Sequence, residues 1–220
     1  MEEQDSLEMW ISTDELKDTV FSLRIVSGFL EKAESDPFYW KWIIIIFHNA
    51  LQTFMVAVLH DRCKVGSSKG KRNKKLLQKW KDLHDLTRRR KILSEKLEDV
   101  YMADFMEIYE NLQSLRVDGV TLDKPFEPTE KQEESIRELV FWRNYFVHLL
   151  PATRLLNAWE YLRLMPPCVE FAEFLTQAPR LLVFGDTCKE ARESVSALKS
   201  QIESLRQKYI EKYPQLGDIE

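Results

Sequence analysis

Three polar side chains, Arg143, Asn144 and His148, interrupt a stretch that is otherwise large and apolar: Phe141-Trp142-Arg143-Asn144-Tyr145-Phe146-Val147-His148-Leu149-Leu150-Pro151. Burying a charge in such a segment without a partner is expensive, so their presence needs a reason. On a helix Asn144 and His148 lie one turn apart on the same side. Arg143 is rotated from His148 by roughly 140°, and meets it through its long side chain or from a second subunit. The three types suit a phosphodiester. An imidazole moves a proton onto or off a ribose oxygen, a guanidinium holds two phosphate oxygens, and an amide orients either. Spacing alone leaves a second reading open, in which the Arg and His are a surface pair or satisfied core polars.

A different region carries charge. Residues 62–91 hold 13 of the 32 Lys and Arg against two acids, Asp82 and Asp85, a formal +11. The rest of the chain then has 19 basic and 34 acidic residues, so the net −4 conceals a segregated field. Within that run Lys69, Lys71, Arg72, Lys74 and Lys75, followed by Arg88, Arg89, Arg90 and Lys91, could grip an RNA backbone with an affinity that falls as salt rises. Trp80 stands close enough in sequence to stack on a base. The alternative is a solvated surface run.

The remaining reactive side chains propose little. His48 and Asn49 sit in an apolar helical stretch, where a satisfied core His is the simpler reading and a link to the Arg143 site the alternative. His60 and His84 have no companions at metal-ligand spacing, so no metal site and no cofactor is read. Cys63, Cys168 and Cys188 are odd in number and far apart, which indicates neither a disulfide framework nor a paired-thiol zinc site, and suits a reducing cytoplasm. Cys63, beside the basic run, reads as a bystander thiol.

The elements that must position these residues are helical. Ser12 and Glu15 have capping-box spacing and open a first helix through Leu16, Val20, Leu23 and Phe29. At Glu34-Ser35-Asp36-Pro37 the chain breaks, with Asp36 as cap and Pro37 at the first position of a second helix that extends to about His60. Its apolar residues surround most of the circumference (Phe38, Trp42, Ile45, Ile46, Phe54, Val58), as expected of a helix packed on several sides. Gly66, Ser67, Ser68 and Gly70 mark a loop, and one or two helices follow between Leu83 and Ile108. Thr129 and Gln132 form another capping box, opening the helix that carries Arg143 to His148 and that Pro151 ends. Residues 154–178 read as two short helices separated by Pro166-Pro167. From Asp186 to Tyr213, Ala191, Val195, Leu198, Ile202, Leu205 and Tyr209 draw a narrow stripe, fit for one partner surface, in cis or across a dimer. The aromatics Trp40, Trp42, Trp142 and Tyr145 fall at helical spacings and read as core or interface.

Composition agrees and excludes several classes. Of the 220 residues 44% are hydrophobic and 31% charged, enough to fold one domain or a domain with an appendage. Six Gly and eight Pro argue against a collagen-like chain or a turn-rich all-β protein. Without a Walker loop, a dinucleotide Gly fingerprint or a Gly-x-Ser-x-Gly elbow, kinase, dehydrogenase and hydrolase readings of those kinds drop out. The acidic start, Glu2, Glu3 and Asp5, is the reverse of a signal peptide's. The apolar stretch from Trp42 to Leu59, interrupted by His48, Asn49 and Gln52, reads as too short and too polar to span a bilayer.

Arg143-Asn144, three intervening residues and His148 resemble the signature of HEPN domains, all-helical modules in which an Arg, usually followed by Asn, Asp or His, precedes a His late in the bundle. The apolar Val147 before the His, and the Asp36-Pro37-Phe38-Tyr39-Trp40-Lys41-Trp42 opening of an apolar helix, look similar to that family as well. Leu150 stands where the toxin-type members carry a Tyr. The resemblance implies an all-α, up-and-down helical bundle over residues 12–178, to which the residues themselves add a basic inter-helix loop at about 62–75 and a C-terminal helical extension over 179–213 available for dimer contacts. It further implies a metal-independent endoribonuclease acting as a homodimer, with Arg143 stabilising phosphate charge, His148 moving the proton and Asn144 positioning them. RNA is the implied partner, with no membrane, an unspecified regulatory protein and a cytoplasmic setting. A non-catalytic RNA-binding or protein-interaction module is the alternative, since many members of that superfamily lack turnover.

Overall fold

The computed structural model describes residues 14–59, 104–114, 125–148 and 157–216. They form an all-α helical bundle: α1 (Glu15–Ala33), α2 (Tyr39–Leu59), α3 (Phe105–Ser114), α4 (Glu130–His148), α5 (Ala158–Leu175) and α6 (Asp186–Lys212), with a 3-10 turn at Pro179–Phe184 before α6. The basic run expected to hold RNA, Lys69 to Arg90 and Lys91, lies outside the described residues, as do Trp80, His60, His84, Cys63 and Pro151.

In α1, Leu16, Val20, Leu23, Val26 and Leu30 recur every three or four residues and are buried on one side. Its N-cap is Asp14, whose carboxylate accepts from the Lys17 N–H at 2.8 Å. The cap expected at Ser12 therefore falls two residues later, at the carboxylate that reaches an otherwise unbonded N–H. Past Ala33 the Ser35 and Asp36 amides bond back to the Lys32 carbonyl, and Asp36 Oδ1 accepts from Phe38 N at 3.0 Å. Asp36 and Pro37 thus turn the chain into α2.

Helix α2 is the hub, packed against α1, α3, α4 and α5. By length and composition alone Tyr39–Leu59 is long and apolar enough to cross a membrane, against the expectation from sequence. Yet 61% of that apolar window is buried inside the fold, which makes it a core helix here. The helix is packed on several sides, as expected, and open at one face. Phe38 is 67% exposed and Trp42 44% exposed, while Trp40, Ile43, Ile44 and Phe47 are buried.

The capping box opening α4 forms as read: the Thr129 amide donates to Gln132 Oε1 at 3.0 Å and the Gln132 amide to Thr129 Oγ1 at 3.2 Å. By contrast, α5 runs unbroken through Pro166 and Pro167, where two short helices were expected. A Pro inside a helix costs about 3 kcal/mol, because it lacks an N–H and crowds the preceding turn. Tertiary burial offsets it: Leu162, Leu164, Met165, Pro167, Cys168 and Val169 are all buried, and a fully buried apolar side chain contributes about 1.5–3 kcal/mol.

Gly185, at φ 57°, occupies the left-handed region that a side chain would strain, and starts α6. The narrow stripe of α6 is buried in cis: Ala191, Val195, Leu198, Ile202 and Leu205 are covered, and the helix packs on α1 and α5. Along it Gln201 accepts from the Ser27 hydroxyl at 2.6 Å and donates to the Ser27 carbonyl at 2.9 Å. Ion pairs join Lys208 to Glu34 (3.0 Å) and Lys199 to Glu173 (2.8 Å). The stripe that could have served a dimer is therefore spent inside the protomer.

Candidate functional site

The last two turns of α4 carry the sequence motif. Ile136, Leu139, Trp142 and Phe146 are buried and fix the rotation of the helix. That rotation decides where the polar residues go. Asn144 and His148 are exposed, Arg143 is half-buried, and Phe141 and Val147 stand in solvent beside them at 53% and 44% exposure. Arg143 Nη1 donates to Asn144 Oδ1 at 2.9 Å. The structure thus joins Arg143 to Asn144 and sets His148 one turn further along the same outward face. His148 makes no hydrogen bond or ion pair with another described residue, and neither Arg143 nor Lys41 has a carboxylate partner among them.

Beneath this face lies an aromatic floor. Trp40 of α2 stacks on Tyr161 of α5 with ring centroids 5.8 Å apart. Trp142 of α4 meets Tyr161 edge-on at 5.5 Å, and Phe146 lies 6.2 Å from it. Trp142 Nε1 donates to Glu138 Oε1 at 3.2 Å. Because Trp40 and Trp142 share Tyr161, the first turn of α2 sits at the end of the bundle that carries the Arg143 motif. Burial, with Glu160 and Glu138 adding to it, pushes the Tyr161 hydroxyl above the ordinary tyrosine range, so it stays protonated.

His48 is a core residue, 4% exposed, its ring 4.4 Å from that of Phe105. Burial lowers its pKa to about 3, and the positive charge of Arg143 lowers it further in the same direction. Of the two readings made from sequence, the core His is the one its burial supports. Asn49, in contrast, faces outward and donates to Asp18 Oδ2 at 3.2 Å. Cys168 and Cys188 are buried, and burial pushes the Cys168 thiol well up, which makes it unreactive.

Sequence reasoning missed the exposed aromatics at the start of α2. Phe38 and Trp42 are one helical turn apart, and Lys41 Nζ lies 6.0 Å from the first ring and 5.2 Å from the second. The available signal was Lys41 between them, the one formally charged side chain in α2. Elsewhere, a groove of about 290 Å³ between α1 and α6 is lined by Leu23, Ser27, Ser194 and the Arg24–Glu190 ion pair (2.7 Å), remote from the motif. No three His, Cys, Asp or Glu gather to hold a metal among the described residues.

Fold and face together define an all-α helical bundle that presents an Arg-Asn-x3-His helix end to solvent. In comparisons with family models, curated proteins and solved structures, the chain matches none.

Proposed function

We propose that the chain is a metal-independent endoribonuclease of HEPN type, cutting RNA by acid-base chemistry in a homodimeric cleft and working in the cytoplasm. The observation that supports it is the outward presentation of Asn144 and His148 on one helical face, with Arg143 held to Asn144. Residues kept for packing would be turned inward, as Trp142 and Phe146 are. In the reaction the ribose 2′-oxygen bonds to phosphorus and the phosphorus–5′-oxygen bond breaks. One His148 takes the 2′-hydroxyl proton, and the His148 of a second copy gives a proton to the departing 5′-oxygen. Arg143 balances the charge that builds on the phosphoryl oxygens. Products end in a cyclic phosphate and a 5′-hydroxyl.

A second reading, an RNA-binding module without turnover, is favoured by one observation. The imidazole of His148 has no orienting partner among the described residues, whereas an acid-base His is ordinarily fixed by one. Arg143→Ala and His148→Ala, assayed for both cleavage and binding of RNA, separate the two. The nuclease reading expects cleavage lost and folding retained in both variants. Binding by the wild type with no cleavage supports the module.

A further inference from the structure

We propose that the outer side of the α1–α2 hairpin is a contact between two copies of this chain, packed face to face with their hairpins antiparallel. The inference is independent of the RNA reading above. Three observations carry it. First, the apolar residues there form one continuous face. Near the turn the Phe29 and Tyr39 rings are 5.3 Å apart, and toward the far end Asn49 donates to Asp18 Oδ2 at 3.2 Å. Ile25 lies about two turns beyond Asp18 on α1, and Trp42 about two turns before Asn49 on α2, so both stand on the side of the hairpin that this bond marks. Phe21 and Phe29 continue that side along α1, Phe38 and Ile46 along α2. Phe21 is 64%, Phe38 67% and Trp42 44% exposed, and the other three are half-buried.

Second, the size fits. Helices of 19 and 21 residues run about 30 Å and stand about 20 Å across side by side. Their outer side therefore measures about 600 Å² in plan, before the relief of its side chains is added, against about 800 Å² that each partner gives to a stable interface. Third, the charges make the face its own complement. At the turn end Lys32 lies over the Phe29 and Tyr39 rings and Lys41 over those of Phe38 and Trp42. Neither lysine has a carboxylate partner among the described residues: Asp36 holds the Phe38 amide, Glu34 pairs with Lys208, and Glu31 is turned about 120° away from Ile25 around α1. At the other end stand Glu15 and Asp18, while Asp14 is paired with Lys17. A two-fold axis lying in the face and crossing both helices sets the lysine end of one copy on the acidic end of the other, twice. The α6 stripe, buried in cis, offers no such contact.

The test is sedimentation velocity of the full chain over a range of concentrations at low salt. The wild type should self-associate, and the double variant Phe21→Ala, Trp42→Ala should raise the dissociation constant at least about thirtyfold, halving the mass where the wild type is assembled. Diluted below the dissociation constant, the double variant should unfold at the wild-type midpoint, which separates loss of contact from loss of fold. Two charge variants test the self-complementarity. Asp18→Lys makes the lysines of the face meet a lysine, and Lys32→Asp with Lys41→Asp makes it acidic at both ends. Each alone should associate about tenfold more weakly than the wild type, and an equal mixture of the two should associate as heterodimers.

A wild type that stays monomeric at every concentration overturns the proposal. So does a mass unchanged by the double variant, which would place the contact between copies elsewhere, and Phe141→Ala halving the mass in its stead would put it at the end of α4. Charge variants that fail to associate when mixed overturn the antiparallel two-fold pairing. A dimer built at the His148 cleft survives the double variant, so the two contacts are read apart.

Discussion

Trp40 and Trp42 stand two residues apart on α2 and meet opposite environments. Trp40 is sealed against Tyr161, and Trp42 lies open beside Lys41. On α4 the same division separates Trp142 from Asn144, and the two histidines repeat it, His48 sealed over Phe105 and His148 in solvent. On the inner face the rings are packed, although the Tyr161 and Tyr109 hydroxyls are buried there without a hydrogen-bond partner among the described residues. On the outer face large rings and polar groups are kept where folding gains nothing from them. That difference separates the residues that packing explains from those it does not, among which Phe21, Leu182 and Val183 are exposed elsewhere on the surface as well.

The contrast breaks most visibly at Trp40. Trp40→Ala opens a cavity in the aromatic floor and should lower stability by about 3–5 kcal/mol, read by urea denaturation. A small loss would mean that the inner face is not close-packed. Next, His148→Ala should reduce RNA cleavage by at least about a hundredfold, with the stability change within about 0.5 kcal/mol. Loss of fold instead would move His148 to the structural side of the division.

His48 supplies a pH test of intermediate size. In the folded protein it holds its proton less tightly than in the unfolded chain, so the unfolded state binds the extra proton between about pH 6.5 and about pH 3. The stability linked to this group is complete above that window and is lost as pH falls through it, at up to roughly 1.4 kcal/mol per pH unit. His48→Leu should flatten this part of the profile; an identical profile would contradict the buried, neutral His. Smallest of all, Trp42→Ala should leave the unfolding midpoint within the range of about 0.5 kcal/mol typical of surface changes.

Local signals in the sequence carried much of the fold. The Thr129–Gln132 box and the α6 stripe are each set by residues spaced a turn apart, and each appears in the structure as read, whereas Pro37, read as the first helical position, lies in the turn and the helix begins two residues later at Tyr39. Pro166-Pro167 was misjudged because the cost of a helical proline is local, whereas the burial that offsets it comes from other helices. The open face at Trp42 was illegible because α2 is apolar nearly all round, and hydropathy without contrast has no direction.

For the site, residue types and the one-turn spacing of Asn144 and His148 were plain. Their outward orientation had to come from the packing of Trp142 and Phe146. The coupling of His48 to Arg143 joins two helices distant in sequence, and no local pattern encodes it.

The most direct measurement is incubation of mixed-sequence RNA with wild-type and His148→Ala protein in EDTA at low salt, with product ends identified by mass spectrometry. The account predicts cleavage by the wild type alone, leaving cyclic-phosphate and 5′-hydroxyl ends. No cleavage by either protein, with tight and salt-sensitive binding by both, would contradict it and leave the outer face as a binding surface.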